Sequence, residues 1–345
     1  MRSYFSPMGV RNKVLLGVLL LACTLLFALH LLLGSVPISA AEVWEALMAR
    51  EGGAGAARIV RGVRLPEALT AVLAGSGLAT CGLLMQTLFR NPLAGPSVLG
   101  LSSGASLGVA IVMLASPLWL LAALPAEMAV VVGAFVGAMV ALALIMLADR
   151  RMGDGVALLI VGILVGYLCG AIIDVLQVAG PDHALKGYVL WGMGSFNGVV
   201  NERMVWLALP VVIGLAGAIG CMKPLNALLL GDDYAASLGV PVARMRRTIM
   251  WVTGLLAGTV TAFCGPVAFL GLATPHVARG LCRTSDHAVL LPVTMLTGAA
   301  LALFCGLLVK LPGVSGLPLN AVTSLLGAPV VAWVLWSGKR WARTA

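Results

Sequence analysis

Nine apolar stretches of bilayer-spanning length recur along this chain, at residues 14–34, 68–88, 98–123, 128–148, 155–178, 204–222, 249–273, 288–309 and 319–336. About 18 or more consecutive apolar residues read as a helix that crosses the hydrocarbon core. Only 10% of the 345 residues are charged, against about 25% in soluble domains. The sequence therefore predicts an all-α polytopic membrane protein. Its first run, "KVLLGVLLLACTLLFALHLLLG", reads as a retained span, because a cleaved signal has a shorter apolar core followed by small residues.

The net charge of +9 is not a nucleic-acid footprint, because its placement follows the positive-inside bias of membrane proteins. With the N-terminus (Arg2, Arg11, Lys13) in the cytoplasm, the same side receives Arg90, Arg150, Arg151, Lys223, Arg244, Arg246, Arg247, Arg279, Arg283, Lys339, Arg340 and Arg343, making fifteen of the 22 Lys and Arg. Arg50, Arg58, Arg61, Arg64, Lys186, Arg203 and Lys310 fall outside. Nine spans would leave the basic "KRWAR" on the wrong side, so an even number is needed. The stretch 249–283 supplies the extra helix if "CGPVAF" breaks it in two. Ten spans with both termini cytoplasmic result.

The sequence shows no linker, low-complexity tract or soluble domain, so residues 1–345 are expected to form one transmembrane domain. The longest extramembrane segments are about 35–67 and 179–203 outside and 223–247 inside. Seven cysteines are scattered through the spans without CxxC or metal-like spacing, and read as small apolar packing residues. "LAGSGLATCG" (73–82) and "LAGTVTAFCG" (256–265) echo each other at an offset of 183 that also relates Pro92 to Pro275. These two segments run in opposite directions across the bilayer, as an inverted repeat would.

Glycine weakens an isolated helix by roughly 1 kcal/mol against alanine, so series of glycines four apart need a reason. In lipid that reason is close helix packing. Gly100, Gly104 and Gly108 form one such series, Gly162, Gly166 and Gly170 another, and Gly133 and Gly137 a shorter one. The second series carries a sharper reading as well, in which its helix lines a pathway. "RNP" at 90–92 stops the preceding helix, since proline lacks an N–H and clashes with the turn before it. Asp174 is the acidic residue deepest in a span, and such residues often face a cavity. Met85 and Gln86 are candidates for either path or packing. His30 and His276 are expected to satisfy local hydrogen bonds, and no histidines or cysteines are spaced to bind a metal.

Several segments, in order along almost the whole chain, resemble one family: the permeases of binding-protein-dependent, ATP-driven importers of iron-siderophores, haem and vitamin B12. The resemblance rests on "VRLPEAL" (63–69), "RNPLAGPSVLGLSSG" (90–104), "LNALLLGDDYAASLG" (225–239), "GPVAFLGLATPHVARGL" (265–281) with "DHAVLLP" (286–292), and "LPLNAVTSLLGAPVVAWVL" (317–335). Gly95 stands where the family has an acidic residue. The resemblance implies a type II importer fold of ten helices per subunit, a homodimer with its path between the subunits, two ATPase subunits and a periplasmic or lipid-anchored substrate-binding protein. The location implied is the bacterial inner membrane.

Particular roles are implied as well. The segment 223–247 would dock into the ATPase as two short helices, with Leu225, Asn226, Leu228, Leu229, Leu230, Gly231, Asp232, Asp233, Ala235, Leu238 and Gly239 as the coupling residues. Asp232 and Asp233 suit the first turn of a helix. Arg64 and Lys310, with Arg61 as a substitute, would meet glutamates of the binding protein; Glu67 occupies the place of a second arginine. Gly155 and Val156 match the family's cytoplasmic gate. No G-x-x-x-x-G-K-[ST] phosphate loop occurs, so ATP would be used by a separate subunit, and the chain is expected to be neither an enzyme nor a holder of cofactor or metal. The implied cargo is an iron chelate, with cobalamin as the alternative. An ion-coupled secondary transporter would need intramembrane ion sites, where Asp174 stands nearly alone.

Overall fold

The computed structural model describes residues 9–48, 55–115, 124–152, 155–310 and 317–337. Arg2, Arg50, the end of the 98–123 run and the basic residues 339, 340 and 343 lie outside them. All regular structure among the described residues is helical: α1 (Val10–Leu32), α2 (Ala40–Met48), α3 (Gly55–Ile59), a π-helical turn (Val60–Arg64), α4 (Leu65–Leu88), a 3-10 turn (Pro96–Leu99), α5 (Leu101–Leu114), α6 (Ala126–Met152), α7 (Gly155–Ala179), α8 (Asp182–Gly192), α9 (Asn201–Gly220), α10 (Met222–Leu228), α11 (Asp232–Ser237), α12 (Val242–Cys264), α13 (Leu270–Cys282), α14 (His287–Val309) and α15 (Leu319–Ser337). Seven helices are long and apolar enough to span a bilayer. Among the described residues α5 and α15 are shorter apolar helices, and with the 13-residue α13 they are consistent with the expected ten.

The break expected at "CGPVAF" is present. α12 ends at Cys264, Gly265 and Phe269 both take positive φ, and α13 starts at Leu270. Unwound backbone at membrane depth must find partners inside the protein. Asn320 of α15 supplies them: its Oδ1 accepts from Ala268 N at 2.9 Å, and its Nδ2 donates to Pro266 O at 2.6 Å and Gly192 O at 3.0 Å. Ser195 N donates to Cys264 O at 2.8 Å, so the same break is pinned to the chain following α8.

α4 is the axis of the bundle, packed by α1, α9, α12, α13 and α14. Its glycines make this possible. A Cβ on Gly75 would lie 2.6 Å from Ala302 Cβ of α14, and one on Gly298 2.5 Å from Ala79 Cβ. Gly82 sits against the carbonyl of Gly271, which Pro275 cannot satisfy because it has no N–H. α4 and α12, the two echoing segments, lie antiparallel: Gly77 faces Leu256 and Val260, and Cys81 Sγ approaches Thr253 O at 3.5 Å.

A second seam joins α5 to α6. Gly104 and Gly108 meet Gly137 and Gly133 backbone to backbone, so that a Cβ on Gly104 would come 2.5 Å from Gly137 O. The expected second series is tight only at its first member. Gly162 abuts Val98 and Leu99, Gly166 makes ordinary contact with Ser103, and nothing lies within 4 Å of a Cβ built on Gly170. Four-residue steps drift about 40° each around a helix of 3.6 residues per turn, so Gly170 points about 80° away from Gly162. The buried stripe of α7 runs instead through Leu158, Gly162, Cys169 and Ile173. All seven cysteines are buried thiols.

Candidate functional site

The "RNP" stretch becomes a clamped reversal between α4 and α5. Arg90 takes a left-handed φ of 46°, Asn91 Oδ1 accepts from Leu93 N at 2.9 Å, and Gly100 enters α5 at φ 71°. His276 Nε2 bonds Pro92 O at 2.8 Å, which holds the turn to α13. Met85 and Gln86 are buried, and Gln86 Oε1 accepts from Arg279 at 2.6 Å. Both pack inside the chain.

The same end of the bundle carries α10 and α11. Leu225, Leu228 and Ala235 are buried and seat the pair on the bundle, while Leu230 (64% exposed), Tyr234 (51%) and Leu238 (59%) face away. Gly231 (φ 107°), which caps the start of α11, and Gly239 (φ 82°), just past its end, take conformations unfavourable to other residues. Asn226 ties α10 down. Its Oδ1 accepts from His287 N (2.9 Å) and Nδ1 (2.7 Å), and its Nδ2 donates to Asp286 Oδ1 (2.7 Å). With Nδ1 donating, His287 Nε2 accepts from the Thr87 hydroxyl of α4 at 2.9 Å. Asp232 pairs with Arg246 of α12 at 3.0 Å, whereas Asp233 is exposed. An apolar patch offered at a charged end is the usual mark of a partner surface.

At the opposite end a cavity of about 390 Å³ opens between the α1–α2 connection, α4, the chain after α8, and the end of α14. Charges line it. Lys310 Nζ lies 2.6 Å from Glu67 Oε2, with both side chains nearly buried. Asn197, with its amide turned to face Glu67, donates to both carboxylate oxygens at 2.7 and 2.8 Å. Lys310 also reaches His30 Nδ1 at 3.0 Å; an ammonium only donates, so Nδ1 accepts and Nε2–H donates to Leu303 O at 3.0 Å. Burial pulls the Lys310 ammonium below the usual lysine range, and the Glu67 carboxylate pushes it back.

Arg64, only 3% exposed, caps α1 by donating to Leu31 O (2.8 Å), Leu32 O (2.9 Å) and Val36 O. Terminal helix carbonyls have no partner within their own helix, so this guanidinium completes α1. Arg64 and Lys310 had been expected to offer their charges to a separate protein; the structure commits both within the bundle. Glu67, read as a replaced arginine, is the internal partner of Lys310. The sequence shows the signs of these charges but not their depth, and Glu67 and Lys310 lie 243 residues apart. Arg61, in the π-helical turn that carries Arg64, is half-buried, and its carbonyl accepts from Asn201.

Gly155 and Val156 open α7, with Gly155 beside Phe89, the residue that caps the end of α4, and Val156 65% exposed. From there α7 presents Ile160, Leu164, Tyr167, Leu168 and Val175 outward, with Asp174 on the same open side. Among the described residues, no group of three or more His, Cys, Asp or Glu could hold a metal ion.

A bundle of membrane-crossing helices with a broken helix pinned at mid-depth, and a pair of short helices showing apolar side chains at its basic end, defines a multi-pass transport permease. The chain belongs to the FecCD transport family, whose sequence profile matches residues 20–337, in agreement with the motifs. It is 35% identical over 278 residues to the vitamin B12 import system permease protein BtuC of Klebsiella pneumoniae, covering 79% of this chain and 81% of that protein. With BtuC of Escherichia coli O9:H4 it is 35% identical over 283 residues, covering 81% and 83%. A solved chain described as an inward-facing conformation of a metal-chelate type ABC transporter superposes with a TM-score of 0.83 at 26% identity, covering 94% of this chain and 99% of that one.

Proposed function

We propose that this chain, a single transmembrane domain, is the permease subunit of an ATP-driven importer for a bulky metal chelate in the bacterial inner membrane. It works as a homodimer with two separate ATPase subunits and a substrate-binding protein outside, and needs no cofactor of its own. The observation that carries this reading is the platform of α10 and α11, whose outward Leu230, Tyr234 and Leu238 offer an apolar contact among charges. Both termini then lie in the cytoplasm with the platform. The exposed side of α7 faces the second copy, with Gly166, Gly170 and Asp174 towards the shared path and Gly155 and Val156 at its cytoplasmic mouth.

Binding of ATP draws the platforms together, and the rigid seams at Gly104 and Gly108 carry α5 and α6 as a unit. On the outer face the binding protein meets the cavity rim beside Arg61, while Arg64, Glu67 and Lys310 keep that rim in shape. Complementary charge there speeds encounter and sets orientation more than it adds affinity.

Permeases for siderophore-iron, haem and cobalamin share these motifs, and an iron chelate is expected from the sequence only because such importers are the more frequent. The relatives named above are vitamin B12 permeases, which supports cobalamin at least as well. The test is ATP-dependent uptake of radiolabelled cobalamin, ferric siderophore or haem by proteoliposomes holding the complete importer. Saturable uptake of one chelate names the cargo; uptake of none of them rejects the metal-chelate reading.

A further inference from the structure

The platform is tied to the bundle at two points, and the ties lead to different helices. Through Asn226 and His287, α10 is bonded to α14 and to Thr87 of α4. α11 is tied through a charge bridge. Arg246 of α12 places Nη2 3.0 Å from Asp232 Oδ2, the first residue of α11, and Nη1 3.2 Å from Asp149 Oδ1, near the end of α6. The Arg246 and Asp149 side chains are each 11% exposed.

A guanidinium is planar and rigid, with donors in a fixed fork, so one arginine can hold two carboxylates in a defined geometry. Such a nearly buried bridge resists separation, because losing one partner leaves a charge without compensation. Asp149 lies three residues before the end of α6, and α7 begins at Gly155. α6 also packs against α7, so a displacement of α11 is delivered to the end of α6, and through it to α7, as well as to α4.

We propose that Arg246 and Asp149 are positioning residues that carry the movement of α11 into the start of α7, where Val156 sits. This rests on the reading of α10 and α11 as the ATPase contact. The bridge lets one docking event drive two helix groups: α4 with α14 by hydrogen bonds, and α6 with α7 by charge.

The test uses the full importer in proteoliposomes, with Val156→Cys as a reporter labelled by a membrane-impermeant maleimide; the seven native cysteines are buried. Labelling rates are compared between nucleotide-free and vanadate-trapped states. With Asp149 intact, trapping changes the rate at position 156. In Asp149→Asn the ATPase stays bound and hydrolyses ATP within twofold of the parent, while the nucleotide-dependent change at position 156 falls at least fivefold. Asp149→Glu, which keeps the charge, and Arg246→Lys, which keeps only part of the fork, restore full and partial response respectively.

A response in Asp149→Asn as large as in the parent overturns the bridge, as does absence of any response in the parent. Loss of ATPase binding in Asp149→Asn would make the residue a docking or folding element and also refutes the proposal. A parent permease that never associates with the ATPase rejects the platform reading itself, and the bridge with it.

Discussion

Replacing Gly104 by alanine sets two effects of opposite sign against each other. Alanine favours a helix by about 1 kcal/mol over glycine, so by propensity the variant gains stability. The structure says the reverse. The new Cβ would lie 2.5 Å from Gly137 O and 2.6 Å from Ala141 Cβ, where ordinary contact begins at 3.4 Å. Neither obstacle is the end of a flexible side chain, so α5 must shift away from α6. A gap of about 0.5–1 Å forfeits a quarter to a half of each atomic attraction, and overpacking costs about 1–3 kcal/mol. After the propensity gain, Gly104→Ala loses up to about 2 kcal/mol.

Gly170→Ala, from the expected second series, meets nothing within 4 Å and keeps the gain of up to about 1 kcal/mol. Thermal and denaturant unfolding of the purified permease in detergent should separate the two variants by about 1–3 kcal/mol. If Gly104→Ala proves as stable as Gly170→Ala, the close α5–α6 approach is wrong and the glycines there are incidental.

Lys310→Met leaves the buried Glu67 carboxylate with Asn197 and the neighbouring Arg64 charge but without its ion-pair partner, and should destabilise by up to about 3–5 kcal/mol. Adding Glu67→Gln should recover most of that loss in a double-mutant cycle, and a double variant as unstable as the single would show the pair to be uncoupled. On the platform, Leu230→Asp with Tyr234→Ala alters exposed side chains, so permease stability should hold within about 0.5 kcal/mol. Co-purification of the ATPase should fall at least tenfold, and unchanged co-purification places the contact elsewhere.

Much of the architecture was legible because membrane helices announce themselves locally. Apolar length marked the spans, charge parity demanded a tenth helix, and "CGPVAF" located the break that Asn320 stabilises. The platform was legible too, since Gly231, Gly239 and the acidic pair are local punctuation. Pairings across the chain were not. Nothing near Glu67 announces Lys310, and nothing near Asp149 announces Arg246.

Two expectations failed for physical reasons. Four-residue glycine spacing was read as one face, but drift around α7 leaves Gly170 in the open. The family resemblance implies for Arg64 a charge offered to the binding protein, and a motif match carries no information on how deeply the side chain is buried. The π-helical turn at Val60–Arg64 leads into α4 with Arg64 and Glu67 both turned inward, and the orphan carbonyls of α1 take up its donors. A missed signal was available in α4: Gly75 and Gly82 lie seven apart, two turns along one face, and mark where Gly298 and Gly271 approach.

The permease is expected to move substrate only when an ATPase drives it through α10 and α11. The most direct test of this is substrate uptake by proteoliposomes with and without the ATPase subunit, with ATP or an ion gradient as the energy source, repeated with Leu230→Asp and Tyr234→Ala. Uptake should require ATPase and ATP together and be lost in the platform variant. Uptake by the permease alone, driven by an ion gradient, would contradict this and direct attention to Asp174 on the open side of α7.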